Sequence, residues 1–222
     1  MTEIIPSIIP KNKEQLEDEI DLISSFADFV QIDISDGIFA PVKTWPYNGL
    51  NIEYFDDLKN ENAGWPKWKN IDFEVHLMVS SPENILRDWI QTGISSAVAH
   101  IEATENFQKI IDICRENQVK IWIAIKPSTD ISLLAPFAGQ VDGIQAMGSD
   151  RLGEHGIALE NRALKQIEKL REKFPDTPVA VDIGVNLETK DALLEAGAVK
   201  LVCGSAILDA DNPRKVFEEL SA

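Results

Sequence analysis

The stretch Val30-Gln31-Ile32-Asp33-Ile34-Ser35-Asp36-Gly37 determines how the rest of the chain is interpreted. Apolar and polar residues alternate along it, which predicts a β-strand, and Asp36-Gly37 predicts the turn that ends this strand. A carboxylate such as Asp33 near the end of a buried strand costs free energy unless a partner or ligand uses it. The stretch therefore predicts a strand that carries a functional carboxylate at its carboxyl end.

Three later stretches repeat this arrangement, and helical patterns separate the strands along the whole chain. The three are residues 73–79 (FEVHLMV), 179–184 (VAVDIG) and 201–205 (LVCGS). Regular alternation predicts a parallel sheet, and eight strand-then-helix units predict a (β/α)₈ TIM barrel formed by residues 1–222 as one domain. An open doubly wound sheet is the alternative, but residues 6–10 (PSIIP) lack the glycine-rich turn that it favours after the first strand.

Several element boundaries follow from capping residues and helical periodicity. Ser81 and Thr104 are predicted helix N-caps, and a short helix is predicted over 131–137. The last helix is expected to begin at Ser205 and run through 213–220. The long connection over 38–70 carries three tryptophans that we expect to pack over the barrel, with a subunit contact as the alternative, namely Trp45, Trp65 and Trp68.

Composition limits the classes of partner. The net charge of −16 and the isoelectric point of about 4.5 argue against nucleic acid or an anionic membrane surface as the main partner. A phosphorylated small molecule remains compatible, because backbone N–H groups bind phosphate without a basic surface. The two cysteines lie in apolar contexts, and no apolar run approaches ~18 residues. We expect a soluble, cytoplasmic protein with reduced thiols.

Two carboxylates are the main candidates for chemistry. Asp33 and Asp182 end the second and seventh predicted strands, so they should face each other across the mouth of the barrel. Two carboxylates on opposite sides of a substrate can remove a proton from one face of a carbon and deliver one to the other. Alternatively, each caps a helix or binds backbone amides. His76 on the third strand and Gly204-Ser205 after the eighth favour the chemical role.

Glycines after the last two strands indicate a phosphate site. Gly184 follows the seventh strand, and Gly204-Ser205 lies between the eighth strand and the last helix. Barrels commonly bind phosphate at these two loops, where glycine permits close backbone approach. Gly204 could also simply allow the chain to turn.

Seven sequence blocks, in order over nearly the whole chain, match one known pattern. They are residues 6–9 (PSII), 33–41 (DISDGIFAP), 75–79 (VHLMV), 100–103 (HIEA), 124–127 (AIKP), 181–186 (VDIGVN) and 204–207 (GSAI). Together they resemble the ribulose-phosphate 3-epimerase family. The resemblance implies a (β/α)₈ barrel that inverts C3 of a pentulose 5-phosphate, so the expected partner is a phosphorylated sugar.

The resemblance also implies roles for particular residues. Asp33 and Asp182 would be the acid/base pair, and a divalent metal (Zn, Fe, Mn or Co) would be held by these two and His76. The remaining substrate- and phosphate-binding positions would be Ser7, His76, Met78, Gly184, Gly204 and Ser205.

The chain departs from the family pattern at several of these places. Gln31 stands where the family has a metal-binding His, which should weaken a zinc or iron site. Ser35 replaces a Met, and Ile183 replaces the first Gly of an Asp-Gly-Gly sequence. The loop over 148–156 has no clear counterpart; its Arg151 or His155 would contact phosphate, or the loop is simply solvated.

The main functional hypothesis is a ketose-phosphate 3-epimerase that interconverts D-ribulose 5-phosphate and D-xylulose 5-phosphate through an enediolate. One alternative is an epimerase of another pentulose or hexulose phosphate, given Ile183. Another is a non-catalytic sugar-phosphate binder that lost its metal, given Gln31. A lyase is disfavoured, because residues 33–35 lack the Lys of the Asp-x-Lys-x-x-Asp motif. Homo-oligomer formation is left open.

Three polar residues at other strand ends have weaker functional interpretations. His100 and Glu102 are expected to support the site from behind rather than bind metal. Lys126 could form a Schiff base, but the family resemblance places a Lys there without that chemistry.

Overall fold

A computed structural model describes residues 2–222, and they form a closed barrel of eight parallel strands in sequential order. The strands are β1 (Glu3–Ile8), β2 (Phe29–Ser35), β3 (Asp72–Met78), β4 (Ser96–His100), β5 (Lys120–Ile125), β6 (Gly143–Met147), β7 (Val179–Asp182) and β8 (Lys200–Cys203). Each strand pairs in parallel with the next, and β1 pairs with β8 to close the sheet. The predicted TIM barrel is confirmed. The assignment of residues 1–222 to one domain stays a prediction.

Helices and short 3₁₀ turns connect the strands. The α-helices are α1 (Lys13–Ile23), α2 (Ile52–Lys59), α3 (Leu86–Gln91), α4 (Phe107–Glu116), α5 (Asn161–Lys173), α6 (Lys190–Glu195), α7 (Ser205–Leu208) and α8 (Pro213–Ser221). The 3₁₀ turns are Pro82–Asn84, Ile101–Ala103 and Ile131–Leu134. Within residues 2–222, every helix is too short or too polar to cross a bilayer.

The apolar core lies between the sheet and the helices, whereas much of the barrel interior is polar. Helix α1 buries Leu16, Ile20 and Ile23, whose spacing places them on one face against the sheet. Side chains two apart on a strand share a face, so Gln31 and Asp33 both point into the barrel. The strand pattern therefore directs the polar residues inward and the apolar residues between them toward the helices.

Of two predicted helix caps, Thr104 is wrong and Ser81 is right in position only. Thr104 does not cap α4: its hydroxyl accepts a hydrogen bond from Asn106 N, and Asn106 is the N-cap, with Oδ1 accepting from Lys109 N at 3.2 Å. Ser81 is the N-cap residue of the 3₁₀ turn Pro82–Asn84, with Pro82 in its first turn as predicted, but its backbone is left-handed (φ 53°) and its side chain makes no capping hydrogen bond. Helix α3 begins only after this turn, and its N-cap position is held by Ile85, which makes no side-chain capping hydrogen bond.

Two predicted helices differ in extent. The helix expected over 131–137 is reduced to the 3₁₀ turn Ile131–Leu134, so no α-helix is assigned to the described connection between β5 and β6. The helix expected from Ser205 onward is split into α7 and α8. Asn212 caps α8 through Lys215 N, and Pro213 stands at its first turn, where proline is favoured.

The long connection between β2 and β3 packs mainly through two of its three tryptophans. Trp45 and Trp65 are buried, with ring centroids 6.2 Å apart, and Trp65 stacks on Phe73 at 4.9 Å. The predicted packing is confirmed for these two. It is wrong for Trp68, whose side chain is 62% exposed.

Candidate active site

Three polar side chains from separate strands meet inside the mouth of the barrel. His76 Nδ1 on β3 lies 3.0 Å from Asp33 Oδ1 on β2 and 3.2 Å from Asp182 Oδ2 on β7. All three side chains are buried, and one donor atom from each lies within 4.8 Å of the others. The parallel barrel brings them together because carboxyl ends of parallel strands open onto the same rim.

The charges in this cluster perturb one another strongly. Burial raises the pKa of Asp33 to about 6, and repulsion from Asp182 adds to the effect. Burial alone would lower the pKa of His76, but hydrogen bonds and attraction from Asp182 and Asp33 outweigh it and raise that pKa to about 9. A carboxyl group with a raised pKa can carry a proton near neutral pH, as a general acid must.

A hydrogen-bonded chain behind His76 fixes its tautomer. His76 Nε2 lies 3.0 Å from His100 Nε2, and His100 Nδ1 lies 3.2 Å from Glu102 Oε2. Because the Glu102 carboxylate accepts a hydrogen bond, His100 carries its proton on Nδ1 and presents a lone pair at Nε2. His76 must then donate from Nε2. Its Nδ1 therefore faces the two carboxylates and is free to bind a proton or a cation.

The pKa directions agree with this assignment. Burial lowers the pKa of His100 to about 4, so the ring is neutral at pH 7. Burial alone would raise the pKa of Glu102, but hydrogen bonds from His100, Thr129 and the Lys126 backbone outweigh it and lower that pKa to about 2. The predicted supporting position of His100 and Glu102 behind the site is therefore what the geometry shows.

We expect Glu102→Gln to lower the free energy of unfolding at pH 7 by on the order of 2 kcal/mol, because the shifted carboxylate stabilises the fold. The folded pKa of Glu102 lies below its ordinary value of 4.5, so this contribution is complete above that pH and is lost as pH falls toward 2. The gap between the wild type and the variant should therefore narrow from pH 7 to pH 3.5. Urea unfolding at several pH values measures it.

Glu105→Gln is the matched control, since Glu105 is an exposed carboxylate of the same loop. It should change the free energy of unfolding little at any of these pH values. A Glu102→Gln variant that is as stable as the wild type at pH 7 would contradict the proposed chain of hydrogen bonds.

Two glutamine amides also point into the cluster. Gln31 Nε2 donates to Asp33 Oδ1 at 2.8 Å and to Asp182 Oδ2 at 3.3 Å, and Gln145 Nε2 on β6 donates to Asp182 Oδ2 at 3.2 Å. Gln145 was missed by sequence reasoning, which treated residues 141–147 simply as a strand. The signal that could have found it was an amide within an otherwise apolar buried strand.

A pocket of about 390 Å³ lies directly above the cluster. Asp33 and Asp182 line it, whereas the fully buried His76 lies behind them. The pocket also contains every other predicted substrate- or phosphate-binding position, namely Ser7, Met78, Gly184, Gly204 and Ser205. The structure therefore brings these residues together around one cavity.

The end of β7 has an unusual backbone. Ile183 adopts φ 75°, a left-handed conformation that β-branched residues rarely adopt, and Gly184 follows with φ 77°. A Cβ on Gly184 would lie 2.5 Å from Leu159 N, so only glycine fits there. Ile183 N donates to Asp182 Oδ1 at 2.8 Å. The strained turn thus orients one oxygen of this carboxylate, as is common at functional sites.

The other candidates are divided between the pocket and its surroundings. His155 lines the pocket and its Nε2 lies 2.9 Å from Asp209 Oδ2, whereas Arg151 is exposed and pairs with Glu154. Lys126 Nζ lies 4.1 Å from the ring centre of Phe39. This cation–π contact gives the Lys126 side chain a role without Schiff-base chemistry.

The fold and the site first define a class, a TIM barrel with paired carboxylates at its strand ends. The sequence profile of the family described as "Ribulose-phosphate 3 epimerase family" matches residues 3–208. The chain belongs to this family. The predicted enzyme class, an isomerase of the epimerase type, is confirmed by this membership.

Relatives named ribulose-phosphate 3-epimerase cover nearly the whole chain. The Schizosaccharomyces pombe enzyme is 29% identical, and the match covers 98% of this chain and 91% of the relative. The Escherichia coli K12 enzyme is 28% identical, and the match covers 98% of this chain and 93% of the relative. A Salmonella typhimurium 3-hexulose-6-phosphate synthase structure is 13% identical with a TM-score of 0.72, over 100% of this chain and 97% of its own. A Pyrococcus furiosus tryptophan synthase α-subunit is 16% identical with a TM-score of 0.69 (100% and 98%). These two structures share the fold.

The donor atoms fit the divalent cation that is typical of the family. Asp33 and Asp182 offer carboxylate oxygens, and the tautomer set by His100 leaves His76 Nδ1 available as a third ligand. A cation at Nδ1 takes the place of a proton there. Gln31, which stands where the family resemblance places a second His, donates from its amide nitrogen and does not offer a ligand atom in this orientation.

Proposed function

We propose that the protein is a ketose-phosphate 3-epimerase that interconverts D-ribulose 5-phosphate and D-xylulose 5-phosphate. The observation that carries this proposal is that two buried carboxylates from separate strands, Asp33 and Asp182, line the same pocket, each next to His76 Nδ1. Epimerisation needs this arrangement, because a proton leaves one face of a carbon and another arrives at the opposite face.

The residues divide the proton transfers between them. One carboxylate takes the C3 proton, and the electron pair of the broken C–H bond forms a C2–C3 double bond while the C2 carbonyl becomes an enediolate oxygen. The other carboxyl group, protonated beforehand, gives its proton to the opposite face of C3. The raised pKa of Asp33 supports its role as the group that holds this proton. Reversal of both transfers returns the first epimer.

Asp33, His76 and Asp182 would hold a divalent cation, which when bound supplies positive charge for the oxygens at C2 and C3. Ser7 and Met78 would contact the sugar. Gly184, Gly204 and Ser205 would bind the phosphate through close backbone approach, and their common position in the pocket supports this. The cation and phosphate thus would fix opposite ends of the substrate.

The test is proton NMR of D-ribulose 5-phosphate in D₂O with the metal-stripped protein. We expect loss of the C3 proton signal and appearance of D-xylulose 5-phosphate, either at once or on addition of Mn²⁺, Fe²⁺, Co²⁺ or Zn²⁺. Immediate turnover would mean that the cation is dispensable. No exchange under any of these conditions would exclude this substrate pair.

A hexulose 6-phosphate is the second candidate substrate, and Ile183 is the observation in its favour. Ile183 lines the pocket where the family pattern has glycine, so it reshapes the wall next to Asp182. Running a 2-ketohexose 6-phosphate, which also carries a proton on C3 next to a C2 carbonyl, beside the pentulose in the same assay compares kcat/KM for the two. A higher kcat/KM for the hexulose would identify it as the preferred substrate of the proposed two-carboxylate mechanism.

A further inference from the structure

The two glutamine amides beside the carboxylates use only part of their hydrogen-bonding capacity. Nε2 of Gln31 and of Gln145 donate to the carboxylates, while both Oε1 atoms are buried without a hydrogen-bond partner in the described part of the chain. A buried amide oxygen without a partner costs about 1–3 kcal/mol. The arrangement is therefore only partly satisfied, and a half-turn of each amide would exchange its oxygen with its nitrogen at almost no steric cost.

The spacing of the polar atoms matches a coordination shell. Gln31 Nε2 lies 2.8 Å from Asp33 Oδ1 and 3.4 Å from His76 Nδ1, and Gln145 Nε2 lies 3.5 Å from His76 Nδ1. Neighbouring ligands of an octahedral ion with bonds of about 2.1 Å lie about 3.0 Å apart. After the half-turn, the two amide oxygens would take up these positions. Oxygens facing carboxylates repel each other unless a cation lies between them.

We propose that Gln31 and Gln145 are amide-oxygen ligands that complete an oxygen-rich divalent-cation site with Asp33, His76 and Asp182. This inference rests on the cation site of the proposed function and adds its selectivity. Four oxygens and one imidazole nitrogen form a hard donor set that suits Mg²⁺ or Mn²⁺ more than a set with two imidazoles does. Gln31, in place of the family His, then changes which metal the site prefers. Each amide donates to a carboxylate when the cation is absent and binds the cation through its oxygen when it is present.

The first test follows the amides directly and requires no turnover. The ¹⁵N-labelled, metal-stripped wild-type protein is titrated with Mg²⁺, and the side-chain NH₂ signals are assigned by through-bond experiments. We expect the pairs of Gln31 and Gln145 to shift together, because they lose their carboxylate acceptors. Gln166 is the internal control, since its buried Nε2 donates to the Lys126 and Thr129 carbonyls. Cation binding that leaves both site pairs unshifted would overturn the inference.

The second test measures selectivity by calorimetry with Mn²⁺ and Zn²⁺. Gln31→Leu and Gln145→Leu should each weaken Mn²⁺ binding about tenfold or more, while Gln31→His should raise Zn²⁺ affinity relative to Mn²⁺ by about tenfold or more. Thermal melts of the metal-stripped variants verify folding. Unchanged Mn²⁺ affinity in both folded Leu variants, or no binding of any cation, would refute the inference. Epimerase turnover is measured separately, so loss of the proposed substrate would leave a positive metal result standing.

Discussion

Asp182→Asn is expected to lower kcat for epimerisation by about 10³-fold or more while leaving sugar-phosphate affinity nearly unchanged. An amide cannot take up or deliver the C3 proton, and a positioned general acid or base contributes about 10² to 10⁴ in rate. Asn keeps the size of the side chain and one acceptor oxygen for Ile183 N. Turnover is measured by proton NMR and affinity by calorimetry with D-ribulose 5-phosphate.

The two-carboxylate mechanism predicts more than a loss of rate. Asp182→Asn and Asp33→Asn should each retain slow solvent exchange of the C3 proton in one epimer, and the two variants should retain it in opposite epimers. The reason is that the remaining carboxylate still faces one side of C3. The exposed Asp211→Asn is the control and should behave as wild type. If the wild-type protein binds the sugar phosphate but does not exchange its C3 proton, the protein is a non-catalytic binder. If both variants retain exchange in the same epimer, the two carboxylates do not act on opposite faces of C3.

Lys200→Met is expected to lower the free energy of unfolding by about 3–5 kcal/mol, because it leaves a carboxylate buried without its partner. Lys200 Nζ lies 2.8 and 3.0 Å from the two carboxylate oxygens of Glu74 inside the barrel, and neither side chain is more than 3% exposed. Ser96 Oγ donates to the same carboxylate at 2.6 Å. Urea unfolding measures the effect, and we expect the midpoint to fall while the m-value stays unchanged.

The double variant Glu74→Leu/Lys200→Met should recover most of the lost stability, since no unpaired charge remains and the apolar side chains can pack against Trp122 and Phe29. Lys215→Met is the matched control: it breaks an exposed pair with Glu219 on α8 and should cost about 0.5 kcal/mol or less. If the single Lys200→Met variant is as stable as this control, the buried Lys200–Glu74 pair does not contribute the expected stability.

Local sequence determined the strands and the strand ends that carry the candidate catalytic residues. The strand predicted over 179–182 coincides with β7, and the alternation around residue 33 correctly predicted β2, because side-chain direction in a strand follows from a period of two. Once eight strand-and-helix units indicate a parallel barrel, the carboxyl ends must share one rim. The convergence of Asp33, His76 and Asp182 follows from that rule alone.

Tertiary structure decided the rest of the site. Gln145 lies 69 positions along the chain from His76, and its amide enters the cluster only when β6 closes against β7. The donor and acceptor in each hydrogen bond of the chain formed by His76, His100 and Glu102 follow from distances between strands, which a local sequence pattern does not give. The same holds for the cap of α4, which is Asn106 and not Thr104. Sequence periodicity determines which face a side chain takes, whereas its partners depend on barrel closure, which brings distant strands within hydrogen-bonding distance.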